Sequence, residues 1–200
     1  MNKKNCIVLL VAVFTASYAQ AQFTFGVRAG INLTDVVQKF DSYKQTFGFK
    51  PGFQIGVVGE SAISEQFAIQ PAILFSTQGA HNKAFDYVVN FNCLQIPINA
   101  QYKLNLGSLK LLFQAGPYLV YALNGKLKYD NGEKSDIKFG SGEDENRRLD
   151  LGIGAGAGIQ FESIQACVGY NHGFVNIWNS TFSSMNHYGF ALTLTYLFAK

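Results

Sequence analysis

Strict alternation of apolar and polar residues, which recurs from Phe23 to the C-terminus, is the feature that most constrains the fold of this chain. Eight segments of about nine to fourteen residues carry it. In the clearest one, from Leu149 to Phe161, apolar residues alternate with Asp150, four glycines and Gln160. Successive side chains of a β-strand point to opposite faces, so the pattern predicts eight strands that each have one apolar face.

The chemistry of the two faces decides which one points inward. No charged residue stands on the apolar face, whereas the opposite face consists mainly of Gly, Ala, Gln, Asn and Thr. An eight-stranded barrel has a lumen only just wide enough for side chains to fill, so the many bulky apolar residues cannot fit inside it. The sequence therefore predicts an all-β fold, an eight-stranded antiparallel up-and-down transmembrane β-barrel of the outer-membrane type.

The connections between the segments alternate in length, which supports the same architecture. Gaps at 34–51, 77–93, 124–148 and 171–187 are long, and gaps at 61–66, 104–108 and 162–163 are short. Bacterial barrels have short periplasmic turns and longer extracellular loops, so we expect both termini in the periplasm. Asn131-Gly132 predicts a tight turn in the third long gap, and the prolines of the strands predict bulges or irregular pairing at Pro71, Pro97 and Pro117.

The ends and the composition indicate where the chain resides. Residues 1–21 combine Lys3 and Lys4, a short apolar run and Ala19-Gln20-Ala21, which predicts a signal peptide followed by a single barrel domain over 22–200. Loss of the two lysines lowers the formal net charge from +3 to +1, so nucleic acid is not expected as a partner. Only 14% of the residues are charged, against about 25% in a typical soluble protein. The expected surroundings are therefore outer-membrane lipid.

Motifs that could carry chemistry favour a structural interpretation. The glycines between Gly152 and Gly158 alternate with apolar residues and no helical pattern follows, so they do not predict a dinucleotide site. We expect them to leave lumenal space for larger side chains such as Tyr118 or Arg28. The histidines fall in or beside long gaps and are expected to be solvated, without ligands at zinc spacing: His81, His172 and His187.

A shared metal between His172 and His187 is the alternative interpretation of that pair. Pairing of Cys93 with Cys167 also stays open, because spacing alone cannot place the two thiols together. No nucleophile, base and orienting acid can be assembled from motifs, so we predict no catalytic, cofactor-binding or metal-binding residue and no enzyme activity.

Charged residues on the inward face form the one candidate site. A charge in a narrow lumen must be paired or reached by water. We expect a salt-bridge network that fills the interior, with a narrow ion path as the alternative, built from Arg28, Glu60, Lys103, Lys110 and Asp150.

Several segments resemble the PorT-type outer-membrane β-barrel family of Bacteroidetes. They span essentially the whole chain after the signal peptide and include Leu94-Gln95-Ile96-Pro97-Ile98, Gly116-Pro117-Tyr118-Leu119, Asp150-Leu151-Gly152-Ile153-Gly154-Ala155-Gly156 and Tyr170-Asn171-His172-Gly173-Phe174. The resemblance implies an eight-stranded outer-membrane barrel, and the family's namesake is linked to protein secretion by the type IX route. Asn92-Cys93-Leu94-Gln95 departs from the family's tendency to have an aromatic residue followed by Leu-Glu.

Three hypotheses for function follow. The first is a structural or interaction role in the cell envelope, with long loops presented to an envelope or secretion-complex protein. The alternatives are a narrow solute channel and a membrane-embedded enzyme that would need Ser, His and an acid near the outer rim. The sequence leaves the specific partner and the oligomeric state open.

Overall fold

A computed structural model describes residues 23–40, 43–82, 85–142, 145–180 and 183–198. The segment expected to be a signal peptide, 1–21, lies outside the described residues. Within the described part of the chain, no helix is long and apolar enough to cross a membrane. The strands are β1 Phe23–Phe40, β2 Lys44–Thr46, β3 Lys50–Ala62, β4 Phe67–Asn82, β5 Tyr87–Leu106, β6 Leu109–Tyr129, β7 Lys134–Asp136, β8 Glu145–Asn146, β9 Leu149–Phe161, β10 Ile164–Gly173, β11 Trp178–Asn179 and β12 Ser183–Leu197.

Eight of these strands form a closed antiparallel ring, which confirms the predicted fold. The hydrogen-bonded order is β1-β3-β4-β5-β6-β9-β10-β12, and β12 pairs with β1 to close the ring. Ala29, for example, lies opposite Ile55 on β3 and opposite Leu194 on β12. Closure leaves the ring without a free edge, so every long strand is paired on both sides.

The apolar face points outward over the length of the ring. Ile31, Val168 and Leu194 are 60%, 58% and 59% exposed. The lumen is filled by polar side chains, and Gln70 and Gln165 are both fully buried. This inversion of a soluble protein's arrangement is the one expected for a barrel whose outer surface contacts lipid.

Short turns and long loops lie at opposite ends of the ring, as the gap lengths predict. Gly107 takes a φ of 76° in the turn between β5 and β6, and Glu162 takes a φ of 48° in the turn between β9 and β10. The other end is taller than expected, because β1 continues to Phe40 and β6 to Tyr129. β7 pairs with the top of β6 beyond a turn at Gly132, which confirms the tight turn predicted at Asn131-Gly132.

The prolines interrupt pairing without changing its register. Pairing between β4 and β5 is missing from Ala72 to Ile73, beside Pro71, yet resumes with the same register at Leu74. The register shift between β5 and β6 lies instead between Asn92 and Cys93, near the long-loop end. Pairing between β5 and β6 is likewise missing at Ile98 and Asn99, beside Pro97 and opposite Pro117, and resumes with the same register at Ala100. Irregular pairing is therefore confirmed at all three prolines, whereas the bulge itself arises elsewhere.

Candidate functional site

Polar side chains close the lumen near its short-turn end. Glu60 on β3 is the centre, and its Oε1 lies 2.5 Å from the Nζ atom of Lys103 on β5. Its other oxygen accepts hydrogen bonds from the amides of Gln70, at 3.0 Å, and Gln165, at 2.9 Å. Arg28 donates from Nη2 to Gln70 Oε1. We call Arg28, Glu60, Gln70, Lys103 and Gln165 the floor lattice.

Burial and hydrogen bonding make the floor lattice a continuous plug. All five side chains are less than a tenth exposed, and they come from β1, β3, β4, β5 and β10. Gln70 also donates to Gln165 at 3.1 Å, so the two amides connect opposite parts of the ring. A buried carboxylate is tolerated here because an ammonium and two amides satisfy its lone pairs.

The structure brings together only three of the five charged residues proposed from the sequence. Arg28, Glu60 and Lys103 belong to the floor lattice, whereas Lys110 is half-buried at the start of β6, opposite Asn105 and Gln160. Asp150 lies at the far, long-loop end of the lumen. Among the described residues, Lys103 and Glu60 form an ion pair, and His187 lies beside Asp150 in a contact that is an ion pair only when the imidazole is protonated.

His187 is not the solvated loop residue that the sequence suggests. Its side chain points into the lumen, its Nδ1 lies 3.9 Å from Asp150 Oδ2, and its ring packs edge-on against Phe91 at 5.6 Å. The expectation of a solvated position is therefore wrong, because β12 begins at Ser183 and extends the ring into the final long gap. The alternation of β12 could have predicted this position, because His187 is an even number of residues from Thr193 and Thr195 and so lies on the same inward face.

A polar chamber lies above the floor lattice. This cavity of about 50 Å³ is lined by Arg28, Tyr118 and the amide-bearing residues Gln54, Gln95, Asn99, Gln114 and Asn171. A second cavity of about 20 Å³ shares Gln95, Tyr118 and Asn171 with it and reaches His187 and Tyr188. The two cavities therefore follow each other along the lumen towards the long-loop end.

Glycine makes the room for the largest side chain of the chamber. A Cβ atom on Gly152 would overlap both the carbonyl oxygen of His172 on β10 and the phenol of Tyr118 on β6. The expected lumenal role of Gly152 is therefore confirmed for Tyr118. Arg28 does not use these glycines; it is held by Thr195, whose Oγ1 accepts from Arg28 Nε at 2.9 Å.

Two of the long loops fold into a cap over the other end of the lumen. β8 pairs with β11, and the backbone N–H of Arg147 donates to the carbonyl of Ile177 at 2.9 Å. Asn179 donates to the carbonyls of Ser141 and Gly142, at 2.6 and 2.8 Å. Ile177 is buried against Val36, Ala80, Phe47 and Met185. We call β8, β11 and Ile177 the outer cap.

Metal and thiol chemistry have little support in the part of the chain that is described. Over those residues, no group of three His, Cys, Asp or Glu side chains could hold a metal ion. His172 contacts Tyr170 and Phe174 rather than His187. Cys93 and Cys167 are both buried and free, so the disulfide left open by the sequence is absent from the structure.

Comparison with known families gives one match that covers most of the chain. Residues 18–179 match the family described as "Outer membrane protein beta-barrel domain". The chain matches no curated protein.

Among solved structures, the chain is similar to Ail, the attachment invasion locus protein of Yersinia pestis, at 14% identity and a TM-score of 0.47. That alignment covers 88% of this chain and 98% of Ail. Neisserial surface protein A is similar at 14% identity and a TM-score of 0.49, over 87% of this chain and 97% of the other. The outer membrane protease OmpT from Escherichia coli is similar at 9% identity and a TM-score of 0.38, over 91% of this chain and 100% of the other.

Proposed function

Because this chain belongs to the outer membrane protein β-barrel domain family, we propose that it is a non-conducting, non-enzymatic outer-membrane barrel that presents its long loops to a partner in the cell envelope. The observation that supports this best is closure of the lumen at both ends. The floor lattice fills the short-turn end, and Ile177 of the outer cap is buried across the long-loop end.

Orientation and export complete the proposal. Residues 1–21 would direct export and be removed, and both termini would lie in the periplasm with the short turns. The four long loops would then face the cell exterior, where the outer cap is available to a protein or an envelope polymer. On the basis of the resemblance to PorT-type barrels, we propose more specifically that this partner is a component of a secretion complex.

The narrow solute channel is the second candidate, because the lumen holds two consecutive polar cavities. We expect no conductance from the wild-type protein in a planar bilayer, since the floor lattice leaves no continuous water path. A Glu60→Ala/Lys103→Ala/Gln70→Ala variant, which removes the centre of the lattice, serves as the control that current can be detected. Regular unitary currents from the wild-type protein would reject the non-conducting role.

An enzyme is disfavoured by the surroundings of His187 and Asp150. The cavity of about 20 Å³ that they line has no serine among its lining residues. It does include the Cys93 thiol, which is only 2% exposed and makes no hydrogen bond to His187 within the described residues. Acyl transfer needs a nucleophile in hydrogen-bond reach of the base and room for the substrate. This pair would instead support the walls beneath the outer cap.

The interaction role is tested by site-specific photo-crosslinking in native membranes. A photoreactive residue at Phe85, which is 72% exposed beside the second long loop, should yield discrete protein adducts. The same residue at Ile153, on the lipid-facing surface of β9, is the matched control and should yield none. Adducts at Ile153 with none at loop positions would contradict a partner that docks on the loops.

A further inference from the structure

The charges of the floor lattice do not balance. Two cations, Arg28 and Lys103, share a single carboxylate, Glu60. Lys103 contacts that carboxylate directly, whereas Arg28 is connected to it only through the amide of Gln70. Asp150 cannot compensate, because it lies near the long-loop end beside His187. One positive charge is therefore left inside the lumen at the boundary of the chamber, and an uncompensated buried charge is costly.

Arg28 retains hydrogen-bonding capacity on its chamber side. A guanidinium has five N–H donors. Nε donates to Thr195 and Nη2 to Gln70, and no other acceptor within the described residues is hydrogen-bonded to this guanidinium. Arg28 is only 4% exposed, yet it lines the cavity of about 50 Å³. Its remaining N–H groups are the strongest donors available to a molecule in the chamber.

The amides around the chamber also present donors. The Gln95 oxygen accepts from Gln78 at 3.2 Å, which leaves the Nε2 atom of Gln95 for other partners. The Gln114 oxygen likewise accepts from Asn99 and Gln101, at 3.5 and 3.4 Å. Asn99 donates its amide in the first of these two bonds and keeps its oxygen, whereas Gln95 and Gln114 keep their amide N–H groups for a ligand. A wall that offers these N–H groups beside one positive charge is suited to an anion.

We propose that the chamber is a binding site for a small anion, an inorganic ion or a short carboxylate, held by Arg28 with the amide N–H groups of Gln95 and Gln114. The second cavity leads from the chamber towards His187 and the outer cap, whereas the floor lattice blocks the short-turn end. Because the floor lattice blocks the short-turn end, an anion bound in the chamber does not pass through the barrel. This site is independent of the proposed partner, because it lies within the lumen.

Iodide is the first probe, since its anomalous scattering locates it in crystals of the folded full-length protein. We expect one iodide next to the Arg28 guanidinium in the wild-type chamber and its loss in Arg28→Gln. Lys110→Gln is the matched control, because Lys110 does not border the chamber, and it should retain the ion. Absence of iodide from the wild-type chamber, or its retention in Arg28→Gln, would overturn the proposal.

A second variant keeps the test decisive if Arg28→Gln does not fold. Gln54 also borders the chamber, and it lies two residues from Gly56, the partner of Arg28 on the neighbouring strand. Gln54→Glu places a carboxyl group in the chamber that Arg28 also lines and should exclude iodide above the pKa of that group. In detergent, iodide at constant ionic strength should raise the thermal unfolding midpoint of the wild-type protein but not that of Gln54→Glu. An equal shift in both proteins would contradict the chamber as the site.

Parallel titrations with acetate and inorganic phosphate identify the class of anion. The chamber should take acetate or phosphate in competition with iodide, and the competitor effective at the lower concentration defines the preferred class. Failure of both to displace iodide would contradict a site for phosphate or carboxylate anions.

Discussion

The phenol ring of Tyr118 lies directly over Gly152 of the neighbouring strand, in the place that any larger side chain at 152 would occupy. Gly152→Ala should therefore displace Tyr118 and destabilise the barrel by about 1–3 kcal/mol, the usual cost of overpacking. The free energy of unfolding in urea, measured for protein folded into lipid vesicles, checks this value.

Gly169→Ala is the matched control for that substitution. Gly169 also faces the lumen, but a Cβ atom there would meet its nearest neighbour, the Ala155 carbonyl oxygen, at an ordinary 3.4 Å. The free energy of unfolding of the Gly169→Ala variant should stay within about 0.5 kcal/mol of the wild-type value. Equal effects at both glycines would show that space for Tyr118 is not what Gly152 provides.

The Lys103–Glu60 pair should behave as a buried ion pair. Glu60→Gln leaves the Lys103 ammonium without its carboxylate, so we expect a loss of about 3–5 kcal/mol. The double variant Glu60→Gln/Lys103→Met should recover much of that loss, because no uncompensated charge of the pair remains. A double-mutant cycle from equilibrium unfolding measures the coupling, and additive effects of the two substitutions would argue against the contact.

The outer cap should protect the backbone at Arg147. Ile177→Asp places a carboxylate among Val36, Ala80 and Met185 and should release the β8–β11 pairing without opening the ring. Trypsin should then cleave after Arg147 faster than in the wild-type protein. Phe174→Asp, in the same loop but at a side chain that is 62% exposed, is the control. A similar acceleration in both variants would mean that burial of Ile177 does not hold the cap.

Orientation can be tested with single introduced cysteines, because the native thiols of Cys93 and Cys167 are only 2% and 3% exposed. An Asn131→Cys variant should react in intact cells with a maleimide that cannot cross membranes. A Glu162→Cys variant should react only after the outer membrane is permeabilised. Labelling of position 162 in intact cells, with protection of 131, would reverse the proposed orientation.

Alternation predicted the ring because lipid enforces it. If the alternation slipped by one residue along a strand such as β9, a polar side chain would point into the hydrocarbon. The period of two is therefore maintained over the whole length of the strand. The same reasoning fails above the lipid. In the upper parts of β5 and β6, Lys126 is exposed on the outside while Phe91 is buried on the inside. The sequence there loses its outward apolar face and resembles a loop.

The site was predicted only in part, because neutral amides contribute as much to it as charges do. Counting charges identified Arg28, Glu60 and Lys103 but not Gln70 and Gln165, which connect them. Counting charges also grouped Asp150 with these residues, because alternation shows that a side chain points inward but does not show its position along the barrel axis. The pairing of Asp150 with His187 depends on how far β12 extends, which the apolar pattern does not reveal.

The free energy of unfolding from lipid vesicles of a Leu192→Arg variant tests the lipid-facing exterior most directly. Leu192 lies on the outer surface of β12, paired with Ile31 and Val168. An arginine near the middle of the hydrocarbon should cost about 2–4 kcal/mol. The same change at Leu106, beside a short turn, should cost at most about 1 kcal/mol. Equal stability of Leu192→Arg and the wild type, with full insertion into the vesicles, would contradict a barrel whose apolar side chains face lipid.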